Sequence, residues 1–447
     1  MVYGNLNIRE KIEESISDGL GDILLSTRLF QRLIKRVFLW QSDFNLQGAE
    51  EMTGLALDLT ARALQDNTTT AWSTVFLPDE ILYAADMTPF SPEIAAGAMA
   101  AFGRAEEMLQ EAEAGGFATD TCSFHRCAGG LDIRNYLPEP DFIAASTHLC
   151  DGAPQLFKYQ AQKHGVEYYV LDVPADDGCE AEDYLASQIE EMLSLCQEIS
   201  GVEITQSRLE EVFNYSNQAR REWLEVQRLR QKYPPVLTSP AALAFVYLHF
   251  LCFGHERTPE ILATLQDDLH KRLRDSNIAG AEEIDEARAD RADESEVDSG
   301  DLPHLLWLHL RPYFSREMFD FIGGRAHIVF EEMNNLFWPP LNPDRPYRSL
   351  ARKILSHPGV GPIENRVDAI LEMIDDYCID GVVHFSHWGC RQSAGGTYQL
   401  KKSLKDAGVP FLDLQGDCID PGGFSSGQIR TRLESFLELL EMRSQAI

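Results

Sequence analysis

Six short apolar runs with polar carboxyl ends set the tightest limit on what this chain can become. They lie at 72–76, 141–146, 168–173, 326–330, 381–386 and 410–414. Each is long enough for one strand and too short for an independent helix. They fall into two groups of three, and within each group helical patterns separate the runs. Strands that alternate with helices pair in parallel, because the crossover helix returns the chain to the same edge. The sequence therefore predicts an α/β protein with two doubly wound, flavodoxin-like parallel-sheet domains. A helical segment joins them, and a helical region precedes the first. The boundaries read as 1–65 for the N-terminal helices, 66–200 for the first α/β domain, 201–305 for the helical connector and 306–447 for the second. At 447 residues the chain exceeds what one core ordinarily serves.

Composition narrows the partners. The 71 acidic and 39 basic side chains leave a formal charge of −32. Such a surface repels phosphate backbones and anionic lipid, so no nucleic acid and no membrane surface is expected. Ten acidic residues crowd 282–301, with only Arg288 and Arg291 against them, which reads as a solvated insertion in the connector. The first residues carry charges at Arg9, Glu10, Lys11 and Glu13 and lack the apolar core of a signal peptide. The most apolar stretch, 240–254, is too short to span a bilayer. A cytoplasmic protein is expected.

Nine cysteines in a reducing compartment do not form a disulfide framework. Cys196 and Cys252 sit in helical apolar patterns and read as small core residues. Cys122, Cys150 and Cys390 differ, lying in turns or just past strand ends. In open α/β sheets ligands bind at the carboxyl ends of strands, and converging thiolates there suit an iron–sulfur cluster or zinc. Arg126, Arg391, His125, His148 and His387 are neighbours in sequence that could favour thiolate. Helices expected after Cys150 and Cys390 would aim amides at sulfur. No Cys-x-x-Cys pair is present, so spacing alone leaves a shared metal site, a structural zinc and a metal-free protein all open.

The motifs around these cysteines resemble the family of 2-hydroxyacyl-CoA dehydratases and benzoyl-CoA reductase core subunits. The carriers are Asp380-Gly381-Val382-Val383, His387-Trp388-Gly389-Cys390-Arg391-Gln392 and Gly408-Val409-Pro410-Phe411-Leu412. Asp417, Gln428, Thr431, Arg432 and Glu438 extend them. Upstream, Pro78-Asp79-Glu80-Ile81-Leu82-Tyr83-Ala84-Ala85-Asp86 with Pro89, and Ser146-Thr147 through Cys150-Asp151-Gly152, are similar to the family's earlier motifs. The gaps of 28 and 240 residues between the three cysteines match as well.

The resemblance implies a [4Fe-4S] cluster held by Cys122, Cys150 and Cys390, with one iron left for water or substrate. It implies a lyase subunit that dehydrates an (R)-2-hydroxyacyl-CoA through a ketyl radical, with the activating electron recycled. It further implies a paralogous partner subunit in a heterodimer and an ATP-hydrolysing iron–sulfur activator. Consistent with that division, the chain has no G-x-x-x-x-G-K-[ST] phosphate loop. Alternatives are a benzoyl-CoA reductase core subunit or an electron-relay subunit that binds no substrate. The additional cysteines Cys127, Cys179, Cys378 and Cys418 form no second set, although Cys127 is a candidate fourth ligand. Glu80, at a helix start near a strand end, is the first candidate for substrate handling. Ser73 could hydrogen-bond the substrate hydroxyl, and His387 could donate to cluster or substrate.

Overall fold

The computed structural model describes residues 46–176, 178–275 and 302–444. The acidic stretch 282–301 and the first part of the expected N-terminal helical region lie outside these residues. What is described of that region is helical, over Gln47–Ala63.

Two four-stranded parallel sheets form the frame. The first contains β1 (Thr70–Ser73), β2 (Thr88–Phe90), β3 (Phe142–Ser146) and β4 (Glu167–Leu171), in spatial order β2-β1-β3-β4. The second contains β5 (His304–Leu308), β6 (His327–Glu331), β7 (Gly381–His387) and β8 (Phe411–Gly416), in order β6-β5-β7-β8. Both sheets thus place their own strands in the order second, first, third, fourth. The doubly wound α/β class expected from the sequence is what is found.

Two strands were not foreseen. β2 contains Pro89, which cannot donate to a ladder and belongs on an edge; β2 is an edge strand, paired only with β1. β5 is central, paired with both β6 and β7. Its Leu305-Leu306-Trp307-Leu308 run is buried throughout, so it lacks the alternation that announces a half-exposed strand. β1 ends at Ser73, three residues before the expected run does, because Leu77 N–H turns back to Thr74 O at 3.1 Å.

One hydrophobic cluster runs through both halves, joining Trp72 and Ile143 of the first sheet to Trp307, Val383 and Phe385 of the second. A helical cluster flanks them, in which Gln47–Ala63, Gln206–Lys232 and Thr258–Asp275 pack around Trp223 and Phe245. Arg230 of the long helix reaches β6 and forks onto Glu331 at 2.8 and 2.7 Å, with both side chains fully buried. Among the described residues no helix is long and apolar enough to cross a membrane.

The helix Ser123–Ile133, which directly follows Cys122, lies tightly against Ala105–Ala114. A Cβ on Gly130 would stand 1.9 Å from Met108 O, so only glycine allows that approach. Gly130→Ala is expected to cost about 3 kcal/mol or more of folding stability, read as a lowered urea midpoint. An unchanged midpoint would show that the two helices separate freely.

A cysteine-lined candidate active site

In a doubly wound sheet the crevice lies where neighbouring strands send their connections to opposite faces. Here those points are between β1 and β3, and between β5 and β7. The loops after these four strands all open on one cavity of about 630 Å³. From the first sheet come Phe76 after β1 and His148 and Cys150 after β3. From the second come His309 and Arg311 after β5 and Cys390 after β7. Cys122 enters from the turn before its helix and lines the same space.

Each thiol sits at the start of a helix and beside one histidine. Cys122 receives the amides of Phe124 and His125, and its Sγ lies 3.4 Å from His387 Nε2. Cys150 Sγ accepts Ala153 N–H at 3.3 Å and lies 3.8 Å from His125 Nε2. Cys390 receives the amides of Ser393 and Gln392, and His309 Nε2 is 3.9 Å away. The helix N-termini expected from the sequence are present. The expected arginine neighbours are not, because Arg126 turns to Glu113 and Asp420, and Arg391 turns to Asp151 at the surface.

Two of these thiols are held in their neutral form by their surroundings. Burial pushes the Cys122 thiol well up, and the nearby Cys390 and Cys150 push it further, against a smaller opposing pull from the amides. Burial likewise raises Cys390. Thiolates brought near one another repel, so a cationic centre beside them would favour deprotonation. Among the described residues no three His, Cys, Asp or Glu side chains are gathered closely enough for one ion.

The histidines differ in state. His387 Nδ1 accepts Cys418 N–H at 3.1 Å, so the neutral ring carries its proton on Nε2, facing Cys122. Burial lowers its pKa to about 4, against the raising effect of Asp417. His125 is the opposite case. Burial alone would lower it, but Cys150 and Glu93, whose Oε1 is 3.1 Å away, raise it to about 10. His148 and His357 stack edge to face with ring centres 4.7 Å apart, and burial keeps both neutral.

Of the residues singled out from sequence, Cys122, Cys150, Cys390 and His387 meet at the cavity. Glu80 and Ser73 are fully buried but do not line it. Glu80 Oε1 instead takes Lys353 Nζ at 2.6 Å and Ser216 Oγ at 2.6 Å. Lys353 does line the cavity, with Nζ 4.8 Å from the Trp338 ring centre. Cys127 is buried with its thiol toward Ala96 O and does not line it. Cys418 is buried nearby, within electrostatic reach of Cys390 and Cys122. Sequence reasoning missed Lys353, His309, Glu93 and His357. Only His309 had a signal, as the first residue past the unrecognised β5.

These features define a two-sheet α/β protein whose paired crevices bring three thiols to one apolar cavity. A family model described as 2-hydroxyglutaryl-CoA dehydratase, D-component, matches residues 74–440, and the chain belongs to that family. It is 22% identical over 408 residues to the (R)-phenyllactyl-CoA dehydratase alpha subunit of Clostridium sporogenes, covering 89% of this chain and 95% of that one. The (R)-2-hydroxyisocaproyl-CoA dehydratase alpha subunit of Clostridioides difficile is 21% identical over 407 residues, with coverage of 86% and 93%. A benzoyl-CoA reductase subunit from Thauera aromatica is 21% identical over 387 residues, with coverage of 82% and 87%.

The Glu80–Lys353 pair generates a pH-dependent prediction. Burial alone would raise the Glu80 carboxyl, but Lys353 and Ser216 hold it below its usual value. That stability is present above the unfolded carboxyl pKa and lost as pH falls through the folded one. Lys353→Met strands the carboxylate, and at pH 8 should cost about 3–5 kcal/mol. The penalty should shrink toward pH 5, as the stranded Glu80 protonates. Urea midpoints at the two pH values check this; a pH-independent penalty would contradict it.

Proposed function

We propose that this chain is the [4Fe-4S] subunit of an anaerobic, cytoplasmic 2-hydroxyacyl-CoA dehydratase, with Cys122, Cys150 and Cys390 as the cluster's three protein ligands. The observation that carries the reading is the meeting of these thiols, from three separate loops, on one largely apolar cavity. Family membership supplies the reaction class. When bound, such a cluster would supply the one-electron chemistry that expulsion of a 2-hydroxyl calls for, and Cys122, Cys150 and Cys390 would hold it.

The chain's own residues prepare the setting. His387 directs its Nε2 proton at Cys122, and the Cys418 amide fixes that tautomer. His125, positive between Glu93 and Cys150, offsets sulfur charge. Phe76, Phe250, Phe337 and Trp338 line the cavity and exclude water from the acyl group. His148, neutral and with an unpartnered Nδ1, is the histidine best suited to accept a proton from the β-carbon. Glu80 acts through Lys353 as a positioning residue.

A paralogous partner subunit and a separate ATP-hydrolysing activator complete the proposed enzyme. The alpha-subunit names of the relatives support the first. Trp388, 46% exposed beside the Cys390 loop, offers a surface near the thiols for either. The cavity favours substrate binding on this chain over pure electron relay. Its aromatic wall also accommodates the second reading, reduction of an aromatic thioester.

Anaerobically purified protein should be brown and carry about four iron and four sulfide per cluster. Cys122→Ala, Cys150→Ala and Cys390→Ala should each lower that content sharply. Iron unchanged in all three would end the proposal. Activator-driven assays with a 2-hydroxyacyl-CoA and with benzoyl-CoA then separate dehydratase from reductase.

A further inference from the structure

Three lysine and arginine side chains line the cavity, and the fold does not treat them alike. Lys353 is neutralised by Glu80 at 2.6 Å. Arg366 forks onto Glu332 at 2.6 and 2.9 Å. Arg311 has no carboxylate partner among the described residues. Its guanidinium lies 5.6 Å from the Tyr313 ring centre, and Arg316, whose charge is also felt there, has the same sign. Arg311 is reached only partly by solvent, and burial pulls its guanidinium below the usual arginine range.

This contrast is informative in a chain with 71 acidic residues. A cation drawn out of water is unfavourable unless a counter-charge meets it. Both other basic groups of the cavity have one supplied by the protein. The guanidinium fork matches a planar carboxylate or a phosphate, and takes either in paired hydrogen bonds. Its placement ties it to the thiols. Arg311 follows His309 by two residues, which span at most about 7 Å of chain. His309 N–H is fixed by Glu332 at 3.1 Å, and its Nε2 faces Cys390. A ligand anion at Arg311 would therefore share the cavity with the three sulfurs.

We propose that Arg311 is the anion-binding residue of this cavity and takes an oxyanion of the thioester ligand. The choice of ligand rests on the acyl-CoA reading above. That oxyanion is either a phosphate of the coenzyme A portion or a carboxylate at the far end of a dicarboxylic acyl group.

The test is calorimetric titration of the anaerobically purified full-length protein with coenzyme A and, separately, with glutarate. Wild type, Arg311→Met and Arg311→Lys are compared at low salt. Wild type should bind one of the probes, Arg311→Met should weaken it by about tenfold or more, and Arg311→Lys should fall between. Loss confined to coenzyme A assigns the phosphate, and loss confined to glutarate assigns the acyl carboxylate. Ligand-free Arg311→Met should melt at or above the wild-type temperature, since an uncompensated charge has gone. Equal affinity of wild type and Arg311→Met for both probes would overturn the proposal. So would failure of both probes to bind wild type, or a melting temperature several degrees lower in Arg311→Met. Iron is counted on the same samples, so a failed cluster assignment and a failed anion assignment are read separately.

Discussion

The structure depends on one close approach between its halves. Gly389, just after β7, meets the backbone of Cys122, and a Cβ there would lie 2.9 Å from Cys122 Cα. Its φ of 72° lies in the left-handed region as well, so glycine is required on two independent counts. This contact brings Cys390, one residue on, alongside Cys122. The same junction is locked by Ser123 Oγ donating to Asp417 Oδ1 at 2.6 Å, which ties the residue after Cys122 to the loop after β8. Asp417 also receives the amides of Ile419 and Asp420. The hydrogen bonding that shapes the second sheet's loops thus fixes the first half's helix.

Much of the frame was legible because buried strands write themselves as short apolar runs. Six of eight strands could be read that way, along with the parallel pairing. The failures have separate physical causes. In β2 a proline disguises an edge strand, and in β5 full burial removes any alternation. The site was legible only in pieces. The local contexts of Cys122, Cys150 and Cys390 marked them, but nothing local says that residues 240 apart share a cavity; family motifs carried that expectation. Lys353 sits in a helix whose pattern reports only its packed face. Glu93, beside Pro92, reads as an ordinary first-turn acid, yet its carboxylate reaches His125. Arg126 and Arg391 adjoin cysteines in sequence while pairing with carboxylates in space, since a charged side chain goes where its counter-charge lies.

The cavity shows how a strongly acidic protein keeps unpaired negative charge away from its interior. Its carboxylates are spent on specific partners: Glu80 on Lys353, Glu332 on Arg366, Glu93 on His125. Among the described residues, what remains facing the interior is largely apolar, with three thiols, neutral histidines and one guanidinium without a carboxylate partner. Such a low-dielectric setting strengthens every remaining polar contact and makes the placement of each charge consequential.

The wide spacing of the cysteines has a consequence in time as well as space. Chains are synthesised at about 5–20 residues per second, and domains fold as they emerge. The 240 residues between Cys150 and Cys390 therefore represent about 10–50 s of translation. Over that interval the first sheet presents two thiols in an unfinished crevice, with its apolar wall uncovered and its third sulfur not yet made. Only when the loop after β7 has emerged can the third thiol join the other two and the second sheet supply its share of the cavity wall.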